Sequence, residues 1–151
     1  MFKTVVKNSP NHSDRGGVTV DTIMVHSTGG SLRGSLEWLC NPNSKVSAHY
    51  LIARDGTVYK LVPTGRAAWH AGKCRVPDAN RRSIGIEMEQ LYGDEWTEAQ
   101  RETLLRLIAV LKRAVPSIKY LVGHREWNSS KIDPYRMDMD ELRKQTGLEK
   151  L

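Results

Sequence analysis

The sequence has little cysteine and no long hydrophobic run. Cys40 and Cys74 are the only cysteines among 151 residues, which is too few for a disulfide framework and gives no CxxC metal motif. We expect both to be free thiols, as in proteins kept in a reducing compartment. No stretch approaches the roughly 18 apolar residues that a membrane-spanning helix requires. The sequence therefore excludes a disulfide-rich scaffold and predicts no insertion into a membrane.

The first residues, MFKTVVKN, also lack the apolar core of a secretory signal peptide. We expect synthesis in the cytoplasm, with any action outside the cell depending on release by another protein. The sequence shows no internal repeat, no low-complexity tract and no linker. Its length and its 39% content of hydrophobic residues suit a single domain that spans residues 1–151.

The chain carries a formal net charge of +6 at pH 7. This charge favours an anionic partner, which could be nucleic acid, an anionic membrane surface or an anionic cell wall. The basic residues are scattered among acidic ones, and no basic stripe alternates with aromatic residues as in proteins that bind single strands. We therefore do not expect nucleic acid as the partner.

Hydrophobic periodicity predicts several strands. Residues 20–26, 46–53 and 57–62 have strand character, and Asp55-Gly56 predicts a two-residue hairpin turn between the last two. The segment SIGIEMEQ places its larger apolar residues on one strand face and Glu87 on the other.

Three helices are predicted as well. The first comes from the leucine spacing in SLRGSLEWLCN, the second begins after Thr97 and ends before Pro116, and the third is closed by Gly147. Because strands and helices alternate, the fold class is α/β, with a central mixed sheet flanked by helices.

Two apolar strands each end on a histidine. TIMVH delivers His26 and YLVGH delivers His124, and Asp133 follows on a loop nine residues later. The carboxyl ends of neighbouring sheet strands commonly hold ligand sites. Two histidines and one carboxylate make a catalytic type of zinc site with an open position. A lone histidine at a strand end is more often an ordinary hydrogen-bonded residue, so the pattern leaves a zinc site and a structural role about equally supported.

Other polar residues have two readings each. Glu87 is either a solvent-facing strand carboxylate or a general base. Lys131 lies two residues before Asp133 and is either a surface lysine or a cation beside the metal that stabilises an oxyanion. In RAAWHAG, Trp69 and His70 either anchor a packed loop or form a cleft wall, with the indole as a stacking surface and the imidazole as a hydrogen-bonding group.

Six motifs occur in an order that is typical of one family: MVHSTGG, VSAHYLIARDGTVYKLVP, RAAWHAG, SIGIEMEQ, VGHREW and KIDPY. The sequence resembles the zinc-dependent N-acetylmuramoyl-L-alanine amidases of type 2, which share their fold with phage amidase lysozymes and peptidoglycan recognition proteins. The resemblance covers about residues 20–136. Several motifs in register are far more specific than any single motif.

The resemblance implies roles for particular residues. It implies Zn²⁺ as the cofactor, and His26, His124 and Asp133 as its ligands. It implies that Glu87 is the catalytic carboxylate and Lys131 the basic group beside the third ligand. Some relatives carry a catalytic tyrosine where this chain has Ala48, so the chain resembles the branch that uses a glutamate, as the cytosolic anhydro-muropeptide amidase does. Other relatives use cysteine as the third ligand, which leaves Cys40 and Cys74 without a zinc role.

The resemblance also implies that His49, within VSAHY, is not a metal ligand but a structural residue or a support behind the site. Ser27 and Thr28, the small residues after His26, are expected to leave room for a substrate and to contact it.

The implied reaction is hydrolysis of the amide between N-acetylmuramic acid and L-alanine in peptidoglycan or muropeptides. We expect a monomeric, bacteriolytic endolysin of a phage or prophage, released to the cell wall through a partner pore (a holin). The alternative is a cytosolic amidase that recycles anhydro-muropeptides. A peptidoglycan-binding module without activity is a weaker rival, because such proteins typically lack part of the ligand set.

Overall fold

The computed structural model describes residues 1–151, which form eight strands and five helices. The strands are β1 (Thr4–Val6), β2 (His12–Ser13), β3 (Thr22–Ser27), β4 (Tyr50–Ile52), β5 (Val58–Lys60), β6 (Ala67–Ala68), β7 (Ser83–Met88) and β8 (Tyr120–Gly123). The helices are α1 (Leu32–Leu39), α2 (Ala79–Arg82), α3 (Glu98–Ala114), α4 (His124–Trp127) and α5 (Met139–Thr146).

A mixed six-stranded sheet in the order β1-β5-β4-β7-β3-β8 forms the centre of the domain, and β2 pairs with β6 in a separate two-stranded sheet. Strands β4, β7, β3 and β8 are parallel, whereas β4 and β5 form an antiparallel hairpin. The predicted class, a mixed sheet flanked by helices, is confirmed.

Alternation along the central strands divides their side chains between two faces. Ile23, Val25 and Ile86 are completely buried in a core that includes residues of α3 and α5. Met24 and Val122 face the other way and belong to a smaller cluster with Trp127. Because successive strand residues point to opposite faces, His26 and Glu87 share the side of the smaller cluster.

The three predicted helices are α1, α3 and α5, whereas the four-residue helices α2 and α4 were not predicted. Thr97 and Gln100 form a capping box at the start of α3, and Ser31 caps α1. Gly147 ends α5 in the left-handed conformation, with φ of 66°, which a glycine adopts at little cost. None of the helices has the length and apolar character needed to cross a membrane. Both cysteines are free thiols, as predicted.

The hairpin exists, but its predicted two-residue turn is wrong. Ala53 and Thr57 pair through an N–H···O bond, which leaves three residues, 54–56, in the loop. Only Gly56 has a positive φ, at 85°. This is the geometry of a type I turn followed by a left-handed glycine.

The strand predicted over residues 46–53 is shortened to Tyr50–Ile52. Its first half leaves the ladder because Ser47 makes other bonds. The Ser47 N–H donates to the Trp69 carbonyl, and the Ser47 hydroxyl accepts from the Trp69 N–H. These contacts attach the segment to the loop that carries Trp69 and His70.

Candidate metal centre and active site

Strand register places three polar residues in one row at the carboxyl edge of the sheet. His26 on β3 lies directly opposite Glu87 on the parallel strand β7. Val25 lies opposite Gly123 on β8, so His124 begins α4 beside His26. The pattern of two apolar strands that each end on a histidine therefore predicted a real juxtaposition, since parallel neighbours bring their carboxyl ends together.

Three potential ligand atoms converge at this edge. His26 Nδ1 lies 3.0 Å from Asp133 Oδ2 and 3.2 Å from His124 Nδ1, and His124 Nδ1 lies 3.2 Å from Asp133 Oδ2. Ligand atoms in a tetrahedral zinc site lie about 3.3 Å apart, because the bonds to nitrogen and oxygen are about 2.0–2.1 Å long. The three residues are buried and could together hold a metal ion.

The hydrogen bonding of His124 suits this role. Its Nε2 lies 2.9 Å from the Ala71 carbonyl oxygen, which can only accept a hydrogen bond. The Nε2 atom must therefore carry a proton, and Nδ1 is the ring atom that faces Asp133 and His26. A cluster of two imidazole lone pairs and a carboxylate is the donor set that a divalent cation requires.

The loop that carries Asp133 is fixed by Arg125 of α4. The Arg125 N–H donates to the Asp133 carbonyl, and the guanidinium donates to the carbonyls of Pro134 and Met137. The Tyr135 N–H donates to the hydroxyl of Ser27 on β3. These bonds anchor the loop to α4 and β3 and so hold the carboxylate against the two histidines.

Glu87 is a half-buried residue whose carboxyl group makes no salt bridge. Its Oε2 atom is inaccessible and has no hydrogen-bond partner. Burial, together with the negative charge of Asp133, raises the pKa of Glu87 to about 8, although Lys131 acts in the opposite direction. A carboxyl group with so high a pKa can release and accept a proton near neutral pH.

A cavity of about 420 Å³ opens above the three convergent ligands. Nine of the ten residues predicted for the site line it: His26, Ser27, Thr28, Trp69, His70, Glu87, His124, Lys131 and Asp133. Lys131 and Asp133 both line the cavity, but so does Ile132 between them, so the alternation expected from their spacing is not what brings them together. The structure brings the predicted residues to one place, while their chemical roles remain predictions.

His49 is the residue that does not reach the cavity. It is completely buried, and its Nδ1 accepts a hydrogen bond from the Gly85 N–H. Its Nε2 therefore carries a proton and donates to the Arg66 carbonyl. Burial lowers the pKa of His49 to about 3, although the Arg66 carbonyl acts in the opposite direction. The neutral ring links β7 to the loop that carries Arg66, which is a structural role of the kind expected for a residue that is not a ligand.

Ser27 and Thr28 differ in what they can offer a substrate. The Thr28 hydroxyl donates to the Gly30 carbonyl and accepts from the Gln90 N–H, so it is engaged in local structure. The Ser27 hydroxyl accepts from the Tyr135 N–H, and its own proton is not donated to any protein group.

Sequence reasoning missed the apolar rim of the cavity. Trp38, Tyr92 and Ile132 line it, yet 57%, 58% and 56% of these residues, respectively, is exposed to solvent. Large apolar side chains grouped on a surface commonly mark a binding site. One signal was available, because Trp38 lies off the leucine stripe of α1 and so must face outward.

Comparison with known proteins identifies relatives. Residues 16–136 match the model of a family described as N-acetylmuramoyl-L-alanine amidase. The chain is 30% identical over 139 residues to N-acetylmuramoyl-L-alanine amidase A of Achromobacter lyticus, and the alignment covers 90% of this chain and 73% of that protein. The chain spans about half the length of several other curated relatives that it matches.

Two solved structures have a similar fold. A crystal structure of AmpD superposes on this chain with a TM-score of 0.79 at 27% sequence identity. The superposition covers 95% of this chain and 93% of the AmpD chain. The amidase AmiD of Escherichia coli, in complex with the substrate anhydro-N-acetylmuramic acid-L-Ala-D-γ-Glu-L-Lys, superposes with a TM-score of 0.77 at 25% identity, covering 88% of this chain and 60% of AmiD. These matches confirm the resemblance that the six motifs predicted.

Proposed function

The chain belongs to the N-acetylmuramoyl-L-alanine amidase family, and on that premise we propose that it is a zinc-dependent hydrolase. Its substrate would be the amide between the lactyl group of N-acetylmuramic acid and the L-alanine of the stem peptide. The observation that carries the proposal is the convergence of His26, His124 and Asp133 within 3.2 Å of one another, with the unpaired carboxyl of Glu87 in the same cavity.

His26, His124 and Asp133 would hold the ion. Zinc bound there would supply Lewis acidity toward the amide carbonyl and lower the pKa of a water molecule to about 7. Asp133 serves this role better than a neutral residue would, because its negative charge offsets part of the cation's charge inside a buried site.

Glu87 moves the proton. Its carboxylate accepts a proton from the attacking water and later delivers it to the nitrogen of the leaving L-alanine. Burial and the charge of Asp133 raise the pKa of Glu87 in the metal-free protein, and a raised carboxyl pKa brings proton uptake and release closer to the working pH.

Lys131 lies on the rim of the same cavity. Its ammonium stabilises the negative charge that develops on the carbonyl oxygen as the amide is attacked. Its exposed position leaves it free to follow the substrate.

The cavity walls fit an amphipathic substrate. Trp69 and the rim of Trp38 and Tyr92 offer aromatic surfaces to the apolar face of a sugar ring, and Ser27 offers a hydroxyl. The complex of AmiD with an anhydro-muropeptide supports the same substrate class for this chain.

We place the enzyme in a phage or prophage lysis system, acting on the intact wall as a monomer after release through a holin. The formal net charge of +6 supports this setting, because a basic surface is attracted to an anionic wall and the attraction weakens with salt. A recycling amidase for soluble anhydro-muropeptides is the second candidate, and the similarity to AmpD favours it.

The proposal is tested with purified zinc-loaded protein and purified peptidoglycan sacculi. Mass spectrometry of the products is expected to show stem peptides with a free L-alanine amino group and muramic acid with a free lactyl carboxyl. Cleavage of glycosidic bonds, or no cleavage of any muropeptide, would contradict the assigned reaction. If soluble anhydro-muropeptide is turned over faster than sacculi, the result would favour a recycling amidase over an endolysin.

A further inference from the structure

A chain of hydrogen bonds leads from the end of α2 to His26. The Ser83 hydroxyl bonds to the Ala79 carbonyl and lies 3.1 Å from His70 Nε2. On the other side of the same ring, His70 Nδ1 lies 2.9 Å from His26 Nε2. His70 therefore lies between a serine of β7 and the nitrogen of His26 that points away from Asp133.

The partners set the direction of every bond in this chain. The Ala79 carbonyl can only accept, so it takes the single hydroxyl proton of Ser83. The Ser83 oxygen must then accept from His70, which places the proton of the neutral ring on Nε2. His70 Nδ1 consequently carries a lone pair and accepts from the Nε2–H of His26. The remaining lone pair of His26, on Nδ1, faces Asp133 and His124.

Two further contacts fix the position of His70. The N–H groups of His70 and Ala71 both donate to Asn80 Oδ1, at 3.0 and 2.8 Å. The ring lies against Gly85 so closely that a Cβ atom there would stand 2.5 Å from His70 Cγ. Gly85 occupies the middle of β7, where a glycine has no conformational advantage, and this contact explains it.

Two consecutive residues thus receive the outer N–H groups of both histidines in the convergent cluster. The His70 ring accepts from His26, and the Ala71 carbonyl accepts from His124. Asn80 holds both residues through a single oxygen atom.

We propose that His70 is a positioning residue for the metal centre: it selects the Nε2–H tautomer of His26 and fixes the ring so that Nδ1 faces the ion. The inference rests on the proposed function, because it assigns a support to the proposed zinc ligands. Partners of this kind typically change metal affinity by about 10- to 100-fold when they are lost. Ser83 and Gly85 support His26 indirectly, through His70.

The proposal is tested by measuring the zinc affinity of the parent protein and of three variants, by competition with a chromophoric chelator. His70→Leu keeps the apolar volume but removes the acceptor, and we expect zinc affinity to fall by about 10- to 100-fold. In His70→Asn, the amide oxygen can replace Nδ1 as acceptor, and we expect most of the affinity to return. His12→Leu removes a histidine outside the cavity and serves as the matched control, with parent affinity.

A second readout needs no activity. In the zinc-bound parent labelled with ¹⁵N in its imidazoles, NMR should show the Nε2–H of His26 as a proton that exchanges slowly with solvent, because it is donated to His70. In His70→Leu this proton should exchange faster, because its acceptor is gone. Should His70→Leu fail to fold, Ser83→Ala provides the same test, because it removes the acceptor that orients His70.

The outcomes separate the two hypotheses. A parent protein that binds no zinc overturns the metal centre itself. A parent that binds zinc, with a folded His70→Leu of equal affinity, overturns only the role of His70. An Nε2–H of His26 that exchanges equally fast in the zinc-bound parent and in a folded His70→Leu overturns the assigned hydrogen bond between the two rings.

Discussion

On one face of the central sheet, Ile23, Val25 and Ile86 pack into the core beneath α3 and α5. On the other face, the next residues along the same strands are His26, after Val25, and Glu87, after Ile86, and both line a cavity. The same strands build both faces, so the difference comes only from the alternation of side chains. The apolar face gains stability from burial, whereas the cavity face keeps an unpaired carboxyl and three contacting imidazoles. Residues that stabilise the fold and residues proposed for catalysis therefore alternate along the same strands, and each kind can be changed without changing the other.

The largest expected effect comes from removing a proposed ligand on the cavity face. We expect His26→Ala, His124→Ala and Asp133→Ala each to lose measurable zinc binding and amidase turnover. Circular dichroism should remain like that of the parent, because the core on the other face is intact. Full turnover in any of the three variants would contradict the assigned ligand set.

Replacing Ile86 should have the opposite profile. Ile86 is completely buried, and Ile86→Ala should lower the free energy of unfolding by about 2–5 kcal/mol. Denaturant unfolding measures this loss. Below the unfolding transition, zinc affinity should stay at the parent value, and a large loss of affinity would show that the two faces are not separable.

Glu87, the next residue along the chain, should separate activity from stability in the other direction. Glu87→Gln should keep zinc but reduce turnover by about 100- to 10,000-fold, the usual contribution of a general acid–base group. Measuring zinc content and kcat on the same sample tests this. Unimpaired turnover would assign the proton transfer to another group.

The same variant has a pH-dependent effect on stability. Because the pKa of Glu87 is raised from 4.5 to about 8 in the folded protein, ionisation favours the unfolded chain between these values. The metal-free parent should lose stability relative to Glu87→Gln as pH rises from about 4.5 to 8, by about 5 kcal/mol in total. Equal pH profiles of unfolding for the two proteins would show that the carboxyl is not destabilised by burial.

The smallest expected effect lies at the rim of the cavity. Trp38→Ala should raise KM for muropeptide several-fold and leave kcat nearly unchanged, because the side chain would bind substrate and transition state alike. Val110→Ala is the matched control, since Val110 is an exposed apolar residue that does not line the cavity. An equal change in KM for both variants would show that Trp38 does not contribute to substrate binding.

The sequence predicted which residues lie on the cavity side of the sheet better than it predicted the turns and contacts that hold them in place. Strand periodicity placed His26, His124 and Glu87, because parallel strands bring such residues to one edge. The spacing of Lys131 and Asp133 was not informative, because Ile132 between them lines the cavity as well. The hairpin turn length was wrong, because Asp55-Gly56 suits both a two-residue turn and a longer loop with a left-handed glycine.

The role of His70 could not be read from periodicity. The His70–Ser83 and His70–His26 contacts join residues 13 and 44 positions apart, and the direction of the bonds depends on which groups can only accept. Gly85 was a usable clue, because a glycine inside an apolar strand often marks a close approach by another group. Trp38 needed the full fold, since an outward-facing aromatic residue acquires meaning only when a cavity lies beside it.

A zinc titration of the chelated, dialysed protein tests the central claim most directly. Turnover of a defined muropeptide is followed as zinc is returned. The account predicts no turnover without metal and a linear rise that reaches its plateau at one zinc ion per chain, with no recovery in Asp133→Ala. Full turnover by the metal-free protein, or recovery by Asp133→Ala to the parent level, would contradict it.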